Sequence, residues 1–472
     1  MNSLALPLTF RQNEVAQVMQ TLRAGDSCAV IGVGSAGKSN FLRFLLREDV
    51  HQRYLGDDYD TYLFVFIDGN KILKPTMWGL LELMLHQVFT KVERLDVAKS
   101  VVESSKYPHE DRQSIETLMT KRQQIVDRIE DLHERAVRSE TKELVLRYLD
   151  RVIAIVQRDL KRRLVFLCDE FDFLSQQLSQ QAFSALRALR DDYKYDLMYV
   201  VATRWELKRL RDGTEIEPFE ELISPHTIWL GPYSEDDARY MLWRMHHRYQ
   251  HSPEQIPDAL VEKIISATGG HPGLLRSAFK LAATSDFQLV SGWEDSRQIL
   301  DECHRIWHSF STAEQEVLAF LARKAEPSSD SYHTLQSLEN KGILKILEGK
   351  RPMPHPPVYF HFLSKHCPDI GHVLVDENSK MIWINGKKIR LGALQFKLTS
   401  YLYKNRNRVC SQGELLEHLY GVEKYEPGEV NETRLVSLVR NVRKKIARVT
   451  QSEGKFIENV PGLGYQLSNT ME

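Results

Sequence analysis

Apolar residues fall into two rhythms along this chain of 472 residues. Unbroken runs at 27–33, 62–68, 164–168 and 197–202 are strand-sized and predict strands buried on both faces, with a shorter one at 227–230. Between them apolar positions recur at helical spacing, as in Phe41, Phe44 and Leu45 after the first run and over 181–189 before the fourth. Strands alternating with helices predict an α/β domain with a parallel sheet. From Met77 the pattern stays helical, with no glycine between Gly79 and Gly213 and no proline between Pro108 and Pro218. Residues 114–163, rich in Glu, Arg, Gln and Leu, predict one or two long exposed helices, an α-hairpin inserted over about 90–163. Helices resume from 233 to about 284.

Behind this body the rhythm changes. Helical patterns at 312–323 and 332–341 precede short strand-like pieces around the turn-forming stretch 349–357, the outline of a small winged helix. The last hundred residues open with short strands at 373–375 and 381–384 and a turn at Asn385-Gly386, continue with helices and end in a hairpin. In the helix predicted over 432–448, Leu435, Leu438, Val439, Val442 and Ile446 form one apolar stripe. Around the other side lie Arg434, Arg440, Arg443, Lys444, Lys445 and Arg448, and Ser437, Arg440 and Lys444 make one line along it. Charge alone allows two readings of that face, a solvated surface or one that neutralises phosphates.

Composition narrows the class. Apolar residues at 42% and charged residues at 27% exclude disordered and collagenous chains and leave material for about three domains. No apolar run approaches the roughly 18 residues of a membrane span, and no secretory leader is visible at the start. Five scattered cysteines suit a reducing compartment, so the expectation is a cytoplasmic, nucleoid-associated protein with no membrane partner. The net charge of −1 hides an asymmetry: residues 371–472 carry 16 basic and 11 acidic side chains, a net +5, against −6 for the rest. A basic rear domain points toward nucleic acid.

The sharpest chemistry is Gly32-Val-Gly34-Ser-Ala-Gly37-Lys38-Ser39, which fits G-x-x-x-x-G-K-[ST] between a strand and a helix. Glycines let backbone N–H groups turn toward phosphates, the helix start adds positive potential, Lys38 reaches the β- and γ-phosphates, and the Ser39 hydroxyl binds Mg²⁺. Asn40 follows as a further nucleotide-side residue. The run 164–168 delivers Asp169 and Glu170 at a strand end, Asp169 to hold Mg²⁺ through water and Glu170 to polarise the attacking water. No N-K-x-D guanine motif occurs, so ATP is the expected nucleotide.

With these residues in view, the first 290 or so resemble the STAND branch of the AAA+-related P-loop ATPases, close also to origin-recognition-like ATPases. Val200-Val-Ala-Thr203-Arg204 is similar to the family's sensor strand, and the resemblance implies nucleotide contact from Thr203 and γ-phosphate detection by Arg204. Residues 218–225 and 230–235 resemble the passage into a helical lid. Gly269-Gly270-His271-Pro272 with Leu274-Leu275-Arg276 resembles the lid motif that closes over adenine and implicates Pro272. The 131 positions between Lys38 and Asp169 exceed the family's usual spacing because of the insert, and no arginine finger is evident in the sequence, so the expectation is an ATPase that is slow or stimulated by DNA or a partner.

Residues 372–468 resemble the winged-helix effector domain of OmpR/PhoB-type response regulators. The matching pieces are 384–391 (N-terminal sheet), 394–402 and 409–416 (first two helices), 439–446 (recognition helix) and 456–467 (wing hairpin). Gln395 stands where that family usually has glutamate. Wing residues Pro461-Gly462 are open to two readings, minor-groove backbone contact or a purely structural turn. The resemblance implies double-stranded DNA as a partner, with Arg434, Ser437, Arg440, Arg443, Lys444 and Lys445 on the contacting helix.

The expected organisation is therefore a P-loop ATPase core at 1–232, a helical lid at 233–300, a middle winged helix at 301–368 and a DNA-binding winged helix at 369–472. The expected function is an ATP-switched DNA-binding regulator that assembles as a homo-oligomer with ATP, with the insert open to a protein partner. Two alternatives stand beside it: a DNA-remodelling or loading ATPase of origin or transposition type, and a defence or signalling scaffold.

Overall fold

The computed structural model describes residues 4–72, 75–95, 111–139, 141–207, 213–250, 256–322, 331–346, 352–366, 373–376, 381–384, 387–406, 408–421, 429–450 and 456–467. Residues 96–110 of the insert, 349–351 and the Asn385-Gly386 turn lie outside them. The chain forms two compact units, Met1–Val290 with His304–Ser309, and Ser291–Cys303 with Phe310–Glu472.

In the first unit β1 (Cys28–Ile31), β2 (Tyr62–Asp68), β3 (Arg163–Asp169), β4 (Leu197–Thr203) and β5 (Thr227–Trp229) form one parallel sheet in the order β2-β3-β4-β1-β5. Every residue of β1 and of β4 is buried, which is why these strands read as unbroken apolar runs. Register does the positioning. Ile31 pairs with Thr203 and Asp68 with Asp169, so the loop after β1, the acids after β3 and Arg204 after β4 leave the sheet at one carboxyl edge.

The connection from β2 to β3 carries helices Met77–Glu93, Asp111–Arg138 and Lys142–Arg158. The expected hairpin is present, but it is not simply exposed. Ile129 and Ala136 of one helix and Val145, Leu149, Val152 and Ile153 of the other are buried in the cluster that covers the sheet. The insert thickens the core on its inner face and keeps its charges outside. Helices Glu235–Gln250, Asp258–Thr268 and Pro272–Ala283 complete the unit. Between the last two, Gly269 and Gly270 both take positive φ, and a Cβ on Gly270 would meet Tyr233 O at 2.6 Å.

In the second unit helices Thr312–Ala322 and Tyr332–Asn340 precede a two-residue antiparallel ladder, β6 (Leu344–Lys345) with β7 (Met353–Pro354). The stretch after the prolines, expected as strand-like, is instead helix Pro357–His366. Proline at a helix start is tolerated because its missing N–H has no intrahelical partner there, and Val358, Tyr359, Phe362 and Leu363 then fall on one buried face. Glu314, wholly buried, accepts from Lys341 Nζ at 2.6 Å and from the Ser337 hydroxyl at 2.8 Å.

The rear of this unit holds a three-stranded antiparallel sheet, β8 (Val373–Asp376), β9 (Met381–Ile384) and β10 (Lys387–Ile389). Helices Ala393–Lys404, Gln412–Tyr420 and Glu429–Thr450 and the hairpin of β11 (Ile457–Val460) with β12 (Gly464–Leu467) follow, around one apolar core. Ser411 and Glu414 close a reciprocal cap at the start of the second helix. Gly464, at φ 142°, is required where the hairpin pairs with Cys410: a Cβ there would lie 2.0 Å from Cys410 O. Glu316 accepts from the Tyr403 hydroxyl at 3.1 Å and from Arg406 Nη2 at 3.3 Å, tying helix Thr312–Ala322 to the end of helix Ala393–Lys404.

Candidate functional site

The loop after β1 is built for close backbone approach. Gly32 N donates to Thr203 O at 3.1 Å, Ser35 takes φ 60° and Gly37 φ 90°, and Gly37 caps helix Lys38–Phe44. Lys38 Nζ folds back to donate to Gly32 O at 2.8 Å and Val33 O at 3.3 Å. Burial lowers its pKa and the Arg204 charge adds to that, while Asp172, Glu170 and Asp169 oppose the shift.

A cavity of about 360 Å³ opens here, lined by residues 34–40, Glu170, Arg204, Tyr233, Pro272 and Arg276 among others. Gly34, Gly37, Lys38, Ser39, Asn40, Glu170, Arg204 and Pro272 thus meet at one place. Gly32, Asp169 and Thr203 stand behind it. Asp169 is buried and its carboxylate accepts from Glu170 N at 3.0 Å, which holds Glu170 in a left-handed turn at φ 52°. Thr203 is fully buried and its hydroxyl donates to Trp205 O at 2.7 Å, so its side chain serves the loop rather than the cavity. Arg204 lies 3.6 Å from Glu170 Oε2 and 3.7 Å from Asp172 Oδ2.

Sequence reading passed over four residues here. Asp172 is buried, accepts from Arg204 N at 2.7 Å and has its pKa raised by burial. Its position three after Asp169, in Asp-Glu-Phe-Asp, was the available signal. Arg11 is 2% exposed at φ 47°. Its Nη2 donates to Ala36 O at 3.1 Å and Gly231 O at 2.9 Å, and its N–H to Asp237 Oδ2 at 3.1 Å. It therefore laces the loop 32–39 to Gly231 and to helix Glu235–Gln250, and its guanidinium sits 4.6 Å from the Tyr233 ring centre. Tyr233 has no local signal, and Arg276 had only its place in the lid motif. A second cavity of about 320 Å³ adjoins, sharing Asn40, Tyr233 and Met241 and adding Phe10, Phe44 and Leu6.

These donors fit a magnesium-bound triphosphate. Lys38, Arg204 and Arg276 and the start of a helix face one cavity, which is the polycationic surround a triphosphate needs. Ser39, at the cavity, is an oxygen donor that Mg²⁺ takes, and Asp169, behind the lining, suits the ion through water. The adjoining cavity sets Phe10, Phe44, Tyr233 and Met241 beside Arg43, Arg47 and Arg244, a mixed wall on which a planar base can stack.

On helix Glu429–Thr450, Leu435, Val439, Val442 and Ile446 are buried, while Arg434, Ser437, Arg440, Lys444, Lys445 and Arg448 are exposed. Arg443 stands apart from its expected group. Its Nε donates to Ile457 O at 2.8 Å and its Nη2 to the same oxygen, so the side chain braces the hairpin against the helix.

Residues 386–467 match the family model described as Transcriptional regulatory protein, C terminal. The chain is 31% identical over 103 residues to Response regulator ArlR of Staphylococcus epidermidis and, equally, of Staphylococcus aureus. That stretch is 22% of this chain and spans 44% of the length of these curated relatives. The rear of the chain is thus an OmpR/PhoB-type winged helix. Among solved structures the chain is similar to the Walker-type ATPase PABY2304 of Pyrococcus abyssi, with TM-score 0.44, 14% identity, and coverage of 75% of this chain and 95% of that one. It is also similar to the Aeropyrum pernix ORC2 protein, with TM-score 0.42, 12% identity, and coverage of 76% and 92%. The front fold stands on its own geometry: a parallel five-stranded sheet with a phosphate loop between β1 and a helix. No described helix is long and apolar enough to cross a membrane.

Proposed function

We propose that this protein is an ATP-switched DNA-binding regulator. The observation that carries the reading is the single carboxyl edge at which sheet register gathers the loop 32–39, Asp169, Glu170 and Arg204, in a chain whose other unit exposes a cationic helix face. Lys38 and the loop amides hold the phosphates, and Ser39 and Asp169 hold Mg²⁺, which supplies charge neutralisation on the phosphate oxygens when bound. Glu170 takes the water's proton, and Arg204 moves between its carboxylate partners and the γ-phosphate. Hydrolysis ends that contact and resets the switch. Arg440 and Lys444 neutralise DNA phosphates or address base edges, and Arg443 keeps the wing in place beside them. Assembly with ATP into a homo-oligomer belongs to the same reading.

The test is Lys38→Ala, with DNA affinity measured in ATP, in ADP and without nucleotide. Wild-type affinity that changes with the γ-phosphate, and a variant locked at the nucleotide-free value, are expected. Wild-type affinity indifferent to nucleotide overturns the switch. Sequence-indifferent binding with DNA-stimulated hydrolysis points instead to a remodelling or loading ATPase.

A further inference from the structure

Val436 breaks the pattern of its helix. It is 49% exposed, whereas Leu435, Val439, Val442 and Ile446 are buried and Leu438 packs against the same core. It stands one turn ahead of Arg440 and about two turns ahead of Lys444, both exposed and on its side of the helix, while Arg434 falls near the opposite side. A β-branched side chain adds nothing to helix propensity at such a position. The cations around it favour a polyanion over an apolar protein surface as the occupant. In the major groove of DNA the one apolar feature on a base edge is the thymine C5-methyl group.

We propose that Val436 reads a thymine methyl in the major groove, within about two base pairs of the base that Arg440 addresses. The spacing follows from the helix rise: four residues advance about 6 Å along the axis, and base pairs stack about 3.4 Å apart. The inference rests on the DNA-binding reading above and specifies which base that surface selects.

The experiment uses the full-length protein with ATP. A duplex site is selected from a random library, and each thymine in it is then replaced singly by deoxyuridine, which removes only the methyl group. At one thymine the wild type is expected to lose about fourfold in affinity, the worth of one buried methyl. Val436→Ala is expected to bind the thymine and uracil duplexes equally at that position, and Val436→Ile to keep the discrimination. Selection that enriches no sequence, uracil tolerated at every position, or Val436→Ala discriminating like the wild type each overturns the inference. Binding of random duplex at low salt reports on the DNA-binding reading separately: a wild type that retains none there overturns that reading as well.

Discussion

Two buried groups set the expectations at the scale of single residues. Glu314 is fully buried and Lys341 is 2% exposed, and they meet at 2.6 Å. Burial alone pushes the Glu314 pKa up, yet the Lys341 charge and hydrogen bond, with Ser311 and Ser337, hold it below the usual carboxylate value. Lys341→Met strands that carboxylate and is expected to cost about 3–5 kcal/mol in urea unfolding, whereas Glu314→Leu with Lys341→Met recovers most of the loss. A double variant as unstable as the single one speaks against an ion-pair origin. His271 caps helix Pro272–Ala283 through Nδ1, and burial, with the charges of Arg11 and Arg276, lowers its pKa to about 3. A depressed folded value means that neutral His271 stabilises the fold above the unfolded pKa near 6.5, and that this contribution drains away as pH falls toward 3. His51, lowered to about 4 by burial, acts in the same direction. Unfolding free energy is expected to fall by up to about 1.4 kcal/mol per histidine per pH unit below 6.5, and His271→Asn, which keeps a cap acceptor, is expected to flatten the slope between pH 6 and 5. An unchanged slope assigns the acid sensitivity elsewhere.

At the scale of elements, helix Glu429–Thr450 commits Arg443 to the hairpin and leaves Arg440 and Lys444 exposed. Arg440→Ala with Lys444→Ala is expected to reduce the salt dependence of DNA binding by about two units of slope, one per phosphate contact removed. Arg443→Ala is expected to leave Ile457 O without its donors and to cost about 1–2 kcal/mol of stability, with the salt slope kept. The reverse pattern would put Arg443 on the DNA and Arg440 outside the contact. That division was not legible in the sequence, where the arginines of the helix look alike; only the fold shows which one the hairpin carbonyl claims. The phosphate loop and Asp169-Glu170 were legible because their chemistry is written in consecutive residues behind an apolar run. Arg11 and Tyr233 were not, since what gives Arg11 its role lies at Gly231 and Asp237, 220 and 226 positions away, and Tyr233 carries no motif of its own. The insert was read as exposed from its charge, although Val145, Leu149, Val152, Ile153 and Val156 already spelled a buried stripe. Helix Pro357–His366 was hidden behind prolines that suggest only a turn.

At the scale of the whole molecule, the switch reading makes a demand that neither unit meets alone. If ATP changes DNA affinity by some factor, DNA must change ATP affinity by the same factor, because both describe one coupling free energy. The size of that factor is bounded by what the γ-phosphate contacts differently from the rest of the nucleotide, and in the first unit the cationic groups facing the cavity are Lys38, Arg204 and Arg276. Arg204 is already held by Glu170 and Asp172 at 3.6 and 3.7 Å, so part of any gain offsets the loss of those partners. A coupling of about 1–3 kcal/mol, or roughly 5- to 150-fold, is the scale such a site supports. Titrating a non-hydrolysable ATP analogue with and without saturating duplex, and titrating duplex with and without the analogue, is expected to return equal factors in this range, and ADP a factor near one. Arg204→Ala should bring the analogue down to the ADP value in both directions while duplex binding itself persists. Two factors equal to one would mean that the phosphate-loop unit and the winged helix share a chain without sharing an equilibrium.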